Sequence, residues 1–191
     1  MKRIECIRTI LNRLRGDEVI VSCNGVCSRE LFSIDDRESN FYMIGAMGLS
    51  SSVALGICIA QPDKRILIMD GDGNVLMNLG ALTTIGTYSP PGLLHVVFDN
   101  ACYESTGGQP SNAEVVDLEA IAHSCGYRTT QTIRTMHELD QVLNGLAELK
   151  GPTFIRILVE TSQEALPPRV GPPPDDIARR FEHALHRTIQ Q

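Results

Sequence analysis

Hydrophobic and polar positions change period repeatedly along the chain. Charges at Glu5, Arg8 and Arg13 recur among apolar residues over 3–15, which predicts an amphipathic helix. Residues 18–23 (EVIVSC) form a β-branched apolar run and predict a strand. Residues 41–44 read as a short extended piece, and 48–61 as a helix rich in Gly, Ser and Ala. Residues 65–69, 93–98 (LLHVVF), 127–133 and 153–159 (TFIRILV) predict strands. Residues 74–87, 117–125 and 135–149 predict helices.

Strands that alternate with helical stretches of roughly 10–15 residues imply βαβ units. The strand cores are continuous apolar runs, as expected of strands buried on both faces. The expected fold is therefore α/β, a doubly wound, mostly parallel sheet with helices on both faces. This domain spans 1–160. Residues 161–191 form a Pro-rich arm and a last helix over 175–188. Pro167, Pro168, Pro172, Pro173 and Pro174 exclude helix or central strand over 162–176. The arm either drapes over a surface, bringing its helix to the domain or a partner, or it is solvated.

Composition narrows the function classes. The 191 residues carry a net charge of -6 with no block of Lys or Arg, so no basic face for nucleic acid is visible. The N-terminus lacks the apolar core of a signal peptide. The longest apolar stretch, 53–60, is far short of the roughly 20 residues that span a bilayer. A cytoplasmic protein that engages neither membrane nor nucleic acid is expected. The cysteines at 6, 23, 27, 58, 102 and 125 form no CxxC pair and no zinc spacing. Reduced, mostly buried thiols follow.

Candidate chemistry lies after the strands, where open parallel sheets bind ligands. The first strand is followed by Asn24-Gly25-Val26-Cys27-Ser28-Arg29-Glu30, and the extended piece by Gly45-Ala46-Met47-Gly48. Asp70-Gly71-Asp72-Gly73-Asn74 and Asp99-Asn100-Ala101-Cys102-Tyr103-Glu104-Ser105 follow the next two. Asp72, Asn100 and nearby carbonyls offer hard oxygen ligands, and a carboxylate, neutral oxygens and a phosphate make a typical Mg²⁺ site. Gly71 and Gly73 let an anion approach the backbone. Gly73-Asn74 opens a helix whose free N–H groups suit phosphate oxygens. Read alone, the loop is equally a strand–turn–helix connection, with Asp72 or Asn74 as an N-cap. Asp70 ends its strand and is read as structural. His95 reads as a packing residue, and His123 and His137 as surface residues.

Gly71-Asp72-Gly73, then 25 residues, then Asp99-Asn100, resembles the cofactor motif of thiamine diphosphate enzymes. The resemblance implies that Asp72, the Asn100 side chain and the Cys102 carbonyl bind Mg²⁺ (or Ca²⁺). Asp99 departs from the family's usual Asn, at the position that does not carry the ligand. Met47, 25 positions before Asp72, matches the large apolar residue that bends the cofactor into its V shape. By the same resemblance the Gly45 carbonyl and the Met47 N–H contact the aminopyrimidine. Asn24, Gly25, Gly73, Asn74 and Tyr103 are further candidate cofactor contacts.

Several stretches are more narrowly similar to sulfopyruvate decarboxylase β subunits and the matching half of phosphonopyruvate decarboxylases. They are Ser28-Arg29-Glu30-Leu31-Phe32, the Gly45–Gly48 segment, DGDGNVLMNLGALTTIG and Ser105-Thr106-Gly107-Gly108-Gln109-Pro110. The implied reaction is decarboxylation of a small 2-oxo acid. Ser28, Arg29, Ser105, Thr106 and Gln109 are candidate donors to a sulfonate or phosphonate, although Arg29 alternatively pairs with Glu30. The family's pyrimidine-binding domain has no room upstream of Gly45. A partner, the α subunit, is therefore expected to supply the activating glutamate, in a homodimer or larger hetero-oligomer. Two rival readings are another split 2-oxo-acid enzyme, such as an acetolactate synthase-like protein, and a non-catalytic cofactor-binding scaffold.

Overall fold

The computed structural model describes residues 1–145, 150–162 and 165–187. The chain opens with α1 (Arg3–Leu11), β1 (Val19–Ser22), α2 (Val26–Ile34), β2 (Asn40–Tyr42), α3 (Ser50–Ala60) and β3 (Ile66–Gly71). Next come α4 (Asp72–Met77), α5 (Gly80–Tyr88), β4 (Leu93–Asp99), and the short strands β5 (Cys102–Tyr103) and β6 (Gln109–Pro110). It closes with α6 (Leu118–Ser124), β7 (Thr129–Ile133), α7 (Met136–Asn144), β8 (Thr153–Leu158) and α8 (Pro174–His186).

Six strands form one sheet in the order β2-β1-β3-β4-β8-β7, and every pairing in it is parallel. The apolar strand runs divide by alternation between two cores. Ile20, Leu67, Met69, Val96, Phe98, Ile155 and Ile157 pack on one face with α1, α2 and α7. Val19, Val21, Ile66, Ile68, Val97 and Phe154 pack on the other with α3, α5 and α6. The expected doubly wound architecture is the observed one.

Local differences have physical reasons. The predicted helix over 74–87 is two helices, because Asn78 leaves helical geometry (φ -146°, ψ 55°) and its amide donates to the Gly48 carbonyl at 3.0 Å. Helix α2 covers residues read as a loop; its Val26, Cys27 and Leu31 are buried. Helix α1 stops at Leu11, short of the predicted residue 15. Residues 146–149 of one predicted helix and residue 188 of another lie outside the described residues.

The described part of the arm is pinned rather than solvated. Arg29 Nε donates to the Pro167 carbonyl at 2.5 Å, and Val170 packs against the first core. Helix α8 then buries Ile177 in one core and Phe181 in the other. Phe181 meets the Phe41 ring at 5.1 Å. Residues 163 and 164 lie outside the description. All six cysteines are free, and four of them (Cys6, Cys23, Cys27, Cys58) are buried. Among the described residues no helix is long and apolar enough to cross a membrane.

Candidate functional site

From β1 the chain passes to β2 on one side, and β3 returns on the other. The carboxyl ends of β1 and β3 therefore flank a topological switch point, the usual crevice of an open parallel sheet. Gly71 pairs in register with Phe98, so Asp72 and Asp99-Asn100 leave the sheet beside each other. A cleft of about 80 Å³ opens there. Asn24 and Gly25 after β1, Gly71 to Asn74 after β3, and Asn100, Cys102, Tyr103 and Ser105 after β4 line it together with Met47.

Asp72 is 2% exposed, at the start of α4. The Ser111 hydroxyl donates to its Oδ2. Burial is the main cause that pushes its carboxyl above the usual carboxylate range, and the charge of Asp99 adds to this. The Ser111 hydroxyl and the Gly73 N–H act in the opposite direction. A desolvated carboxylate beside a second carboxylate is relieved by a cation, so the site fits a hard divalent metal.

Asp99 faces elsewhere. Its Oδ2 accepts from Arg156 Nε at 2.6 Å, and its Oδ1 from the Ala101 N–H at 2.9 Å. Asn100 donates through Nδ2 to Glu104 at 3.0 Å and accepts the Cys102 N–H at Oδ1 at 3.2 Å. Glu104 also accepts from Arg3 Nη2 at 2.8 Å, and Arg3 Nε reaches the buried Glu30 at 2.7 Å. Burial opposes the Arg3 charge, but Glu30 and Glu104 outweigh it, and its pKa is raised. Glu30 is thus held by Arg3, not by Arg29.

Tyr103 packs against the start of α4: a Cβ on Gly73 would sit 2.5 Å from its ring. On the opposite side, Met47 sits between Ala46 (φ 51°) and Gly48 (φ 93°), a left-handed backbone that glycine adopts without strain. Gly48 donates its N–H to Asn74 Oδ1 at 2.6 Å. Asn74 in turn donates to Asp70 at 2.5 Å and to Ser50 at 2.8 Å. Asp70 accepts from Ser50 at 2.9 Å and pairs with His95 Nε2 at 3.2 Å, and His95 Nδ1 meets the Tyr127 hydroxyl at 3.0 Å. Asp70 and His95 therefore belong to one buried polar chain that ends on the Met47 turn. Helix α4 starts at Asp72 with Gly71 as its N-cap, so Asn74 braces that turn instead of opening the helix.

The remaining sequence candidates stand outside this cleft. Gly45 is exposed, two residues before Met47. Ser28 donates its hydroxyl to the Cys23 carbonyl at 2.6 Å, which turns it into the strand end. Arg29 bonds the arm. Thr106 and Gln109 are exposed and bond each other at 3.0 Å. Sequence reasoning missed Ser111, Arg3, Glu104 and Arg156. Ser111 directly follows the Ser105–Pro110 run and was within reach; Arg3 lies so far from Glu104 in sequence that no spacing joins them. Among the described residues no three His, Cys, Asp or Glu side chains gather as a metal site. The candidates that the sequence offers are of another kind, one carboxylate, one amide and one carbonyl, from residues that share the cleft.

Comparison with known proteins bears on the domain as a whole. Residues 21–157 match the thiamine pyrophosphate enzyme family, C-terminal TPP binding domain. The chain belongs to this family. As a TPP-binding domain it is 38% identical to the sulfopyruvate decarboxylase subunit beta of Methanocaldococcus jannaschii, over 98% of each chain. It is also 38% identical to the phosphonopyruvate decarboxylase of Streptomyces viridochromogenes, covering 94% of this chain but only 45% of that protein. The chain thus spans about half the length of that relative. Among solved structures, a thiamine diphosphate-dependent 4-hydroxybenzoylformate decarboxylase of Rhodococcus jostii shares the fold. It superposes with a TM-score of 0.73 at 16% identity, over 86% of this chain and 33% of that one.

Proposed function

We propose that this TPP-binding domain is the β subunit of a thiamine diphosphate-dependent decarboxylase that converts 3-sulfopyruvate to sulfoacetaldehyde and CO₂. The buried Asp72 carboxylate, sharing a cleft with Asn100 and Cys102, is the observation that carries this reading. The match to a named β subunit over 98% of both chains supports the division of labour.

Asp72 Oδ1, the Asn100 amide oxygen and the Cys102 carbonyl would hold Mg²⁺ and, through it, the cofactor diphosphate. Gly71 and Gly73 keep that loop free of side chains, and Tyr103 packs beside it. Met47, held by Gly48 and Asn74, would support the cofactor between its two rings, with Asn24 and Gly25 on the facing wall. When bound, thiamine diphosphate supplies the electron sink for the carbanion left by CO₂ loss. The chain's own task is to bind, orient and desolvate.

The cleft is much smaller than the roughly 300–1,000 Å³ that encloses an ordinary small-molecule ligand. This supports an active site completed by a second chain, a pyrimidine-binding α subunit that brings the activating glutamate, in a cytoplasmic hetero-oligomer. Co-expression with such a subunit and assay of CO₂ release tests the reading. Turnover of sulfopyruvate that requires both chains, thiamine diphosphate and Mg²⁺ is expected. Release of CO₂ from phosphonopyruvate alone would favour the second reading, for which the equal identity to the Streptomyces enzyme speaks.

A further inference from the structure

A second cavity, of about 330 Å³, adjoins the cofactor cleft and shares Asn24, Gly25 and Ser105 with it. Its remaining wall combines apolar Met43, Ile44 and Val170 with two guanidinium groups, Arg29 and Arg169. No carboxylate lines it.

Neither cation has an acidic partner among the described residues. Arg29 donates to two neutral carbonyls, Pro167 at 2.5 Å and Leu166 at 3.5 Å. Its sequence neighbour Glu30 is taken by Arg3 at 2.7 Å. Arg169 makes no hydrogen bond or ion pair at all with a described residue. Two positive charges with no acidic partner among the described residues, facing one partly apolar cavity, focus an attractive field on anions. An arginine fork is also shaped to hold the oxygens of such a group.

The fold explains why Arg169 stays at this position. Arg29 clamps the arm at residues 166 and 167, just before it. Val170 packs into the first core just after it, and Gly171 lies against the Phe32 ring. Arg169 is thus held between two anchors, while its own side chain bonds no described residue. This arrangement gives the Pro-rich arm a role that its composition alone does not reveal.

We propose that Arg169, carried by the arm, and Arg29, which clamps the arm, form the subsite for the anionic tail of the substrate. The ligand class is a three-carbon 2-oxo acid with a tetrahedral oxyanion, sulfonate or phosphonate, on C3. The reactive end of the substrate then faces the cofactor cleft across the shared wall of Asn24, Gly25 and Ser105. The inference rests on the decarboxylase reading, and it adds which residues of this chain select the substrate.

The test uses the complex of the full chain with its pyrimidine-domain partner. Arg169→Gln should raise KM for the preferred tailed substrate about tenfold, as loss of a charge-assisted hydrogen bond does. The preference for that substrate over pyruvate should fall by the same factor, with Arg169→Lys in between. Thiamine diphosphate affinity, measured by calorimetry, should not change. Assaying sulfopyruvate and phosphonopyruvate separately identifies which oxyanion the subsite prefers. Wild-type KM in Arg169→Gln overturns the subsite while leaving the decarboxylase reading intact. Should the wild-type complex turn over neither acid, the decarboxylase reading fails. The subsite is then judged on calorimetric binding of 3-sulfopropionate and 3-phosphonopropionate, unreactive mimics. Tighter binding of either by wild type than by Arg169→Gln upholds it; equal or absent binding of both overturns it.

Discussion

The Ser111 hydroxyl donates a hydrogen bond to Oδ2 of Asp72, joining two loops that are distant in sequence. Arg156 reinforces the junction: it pairs with Asp99 at 2.6 Å and donates to the Ala113 carbonyl at 3.2 Å, just beyond Ser111. Asp72 is thus held in place by the protein's own contacts. Oδ2 is tied to Ser111, and the Gly73 N–H also supports the carboxylate.

Asp72→Asn should separate stability from binding. Burial raises the carboxyl's pKa in the folded state above its unfolded value. The sign follows: below the unfolded pKa the group is protonated in both states and costs nothing. As pH rises through the carboxylate range the unfolded chain ionises first, so the folded state loses stability, fully so above the folded pKa. Asp72→Asn removes that penalty. Its melting temperature without cofactor should equal or exceed wild type at pH 7, and the difference should vanish in acid. Mg²⁺-dependent binding of thiamine diphosphate should be lost. Melts across pH and calorimetry check both, and unchanged cofactor binding would remove Asp72 from the metal site.

Gly71 and Gly73 should respond differently to alanine. A Cβ at Gly73 would lie 2.5 Å from the Tyr103 ring, whereas the nearest atom to a Cβ at Gly71 is 4.0 Å away. Gly73→Ala must displace Tyr103, so it should weaken cofactor binding and lower the melting temperature. Adding Tyr103→Ala should restore much of the stability. Gly71→Ala should fold and melt like wild type. Loss of cofactor affinity in it would then report the approach of the diphosphate to that backbone. Circular dichroism melts beside calorimetry distinguish the two behaviours.

These residues mark the reach of the sequence. The β3 and β4 runs and the glycine loops at their ends were legible, because a strand buried on both faces has a plain apolar signature and turn residues mark where it stops. Asp72, Asn100 and Met47 were singled out by their spacing, and the structure brings all three to one cleft. Helix α2 was not legible, because Ser28-Arg29-Glu30 reads as polar punctuation although Glu30 is buried against Arg3. The break at Asn78 was not, because its cause is a hydrogen bond to Gly48, on another element. The fixed course of the arm was not, since prolines specify what a segment cannot be, and only the contacts of Arg29 and Val170 specify where it goes.

Arg3 lines the cleft beside Glu104 and should matter to it. It bonds Glu30 and Glu104, and all three side chains are at most 9% exposed. Arg3→Ala leaves two buried carboxylates without their cation, a change that typically costs about 3–5 kcal/mol. Glu104 also orients the Asn100 amide, so metal affinity should fall with stability. Arg3→Ala with Glu30→Gln and Glu104→Gln should recover a large part of the stability, because the stranded charges are gone. Denaturant melts of the single and triple variants check this; equal loss in both would show that the pairing is not what Arg3 contributes.

Thiol chemistry offers a direct view of cofactor binding. The thiolate is the reactive form, and burial pushes both Cys6 and Cys58 up to about 11. These two, together with buried Cys23 and Cys27, should resist alkylation at pH 8 until the protein unfolds. Cys102 and Cys125 are half-buried and should react in the native state. Cys102 lines the cofactor cleft and Cys125 does not. Adding thiamine diphosphate with Mg²⁺ should therefore slow iodoacetamide labelling of Cys102, with Cys125 as the internal control. Asp72→Asn should abolish the protection without altering the basal rate at Cys125. Peptide mass spectrometry over a time course reads each site separately. Equal labelling of Cys102 with and without cofactor would place the diphosphate and its metal away from the β4–β5 connection.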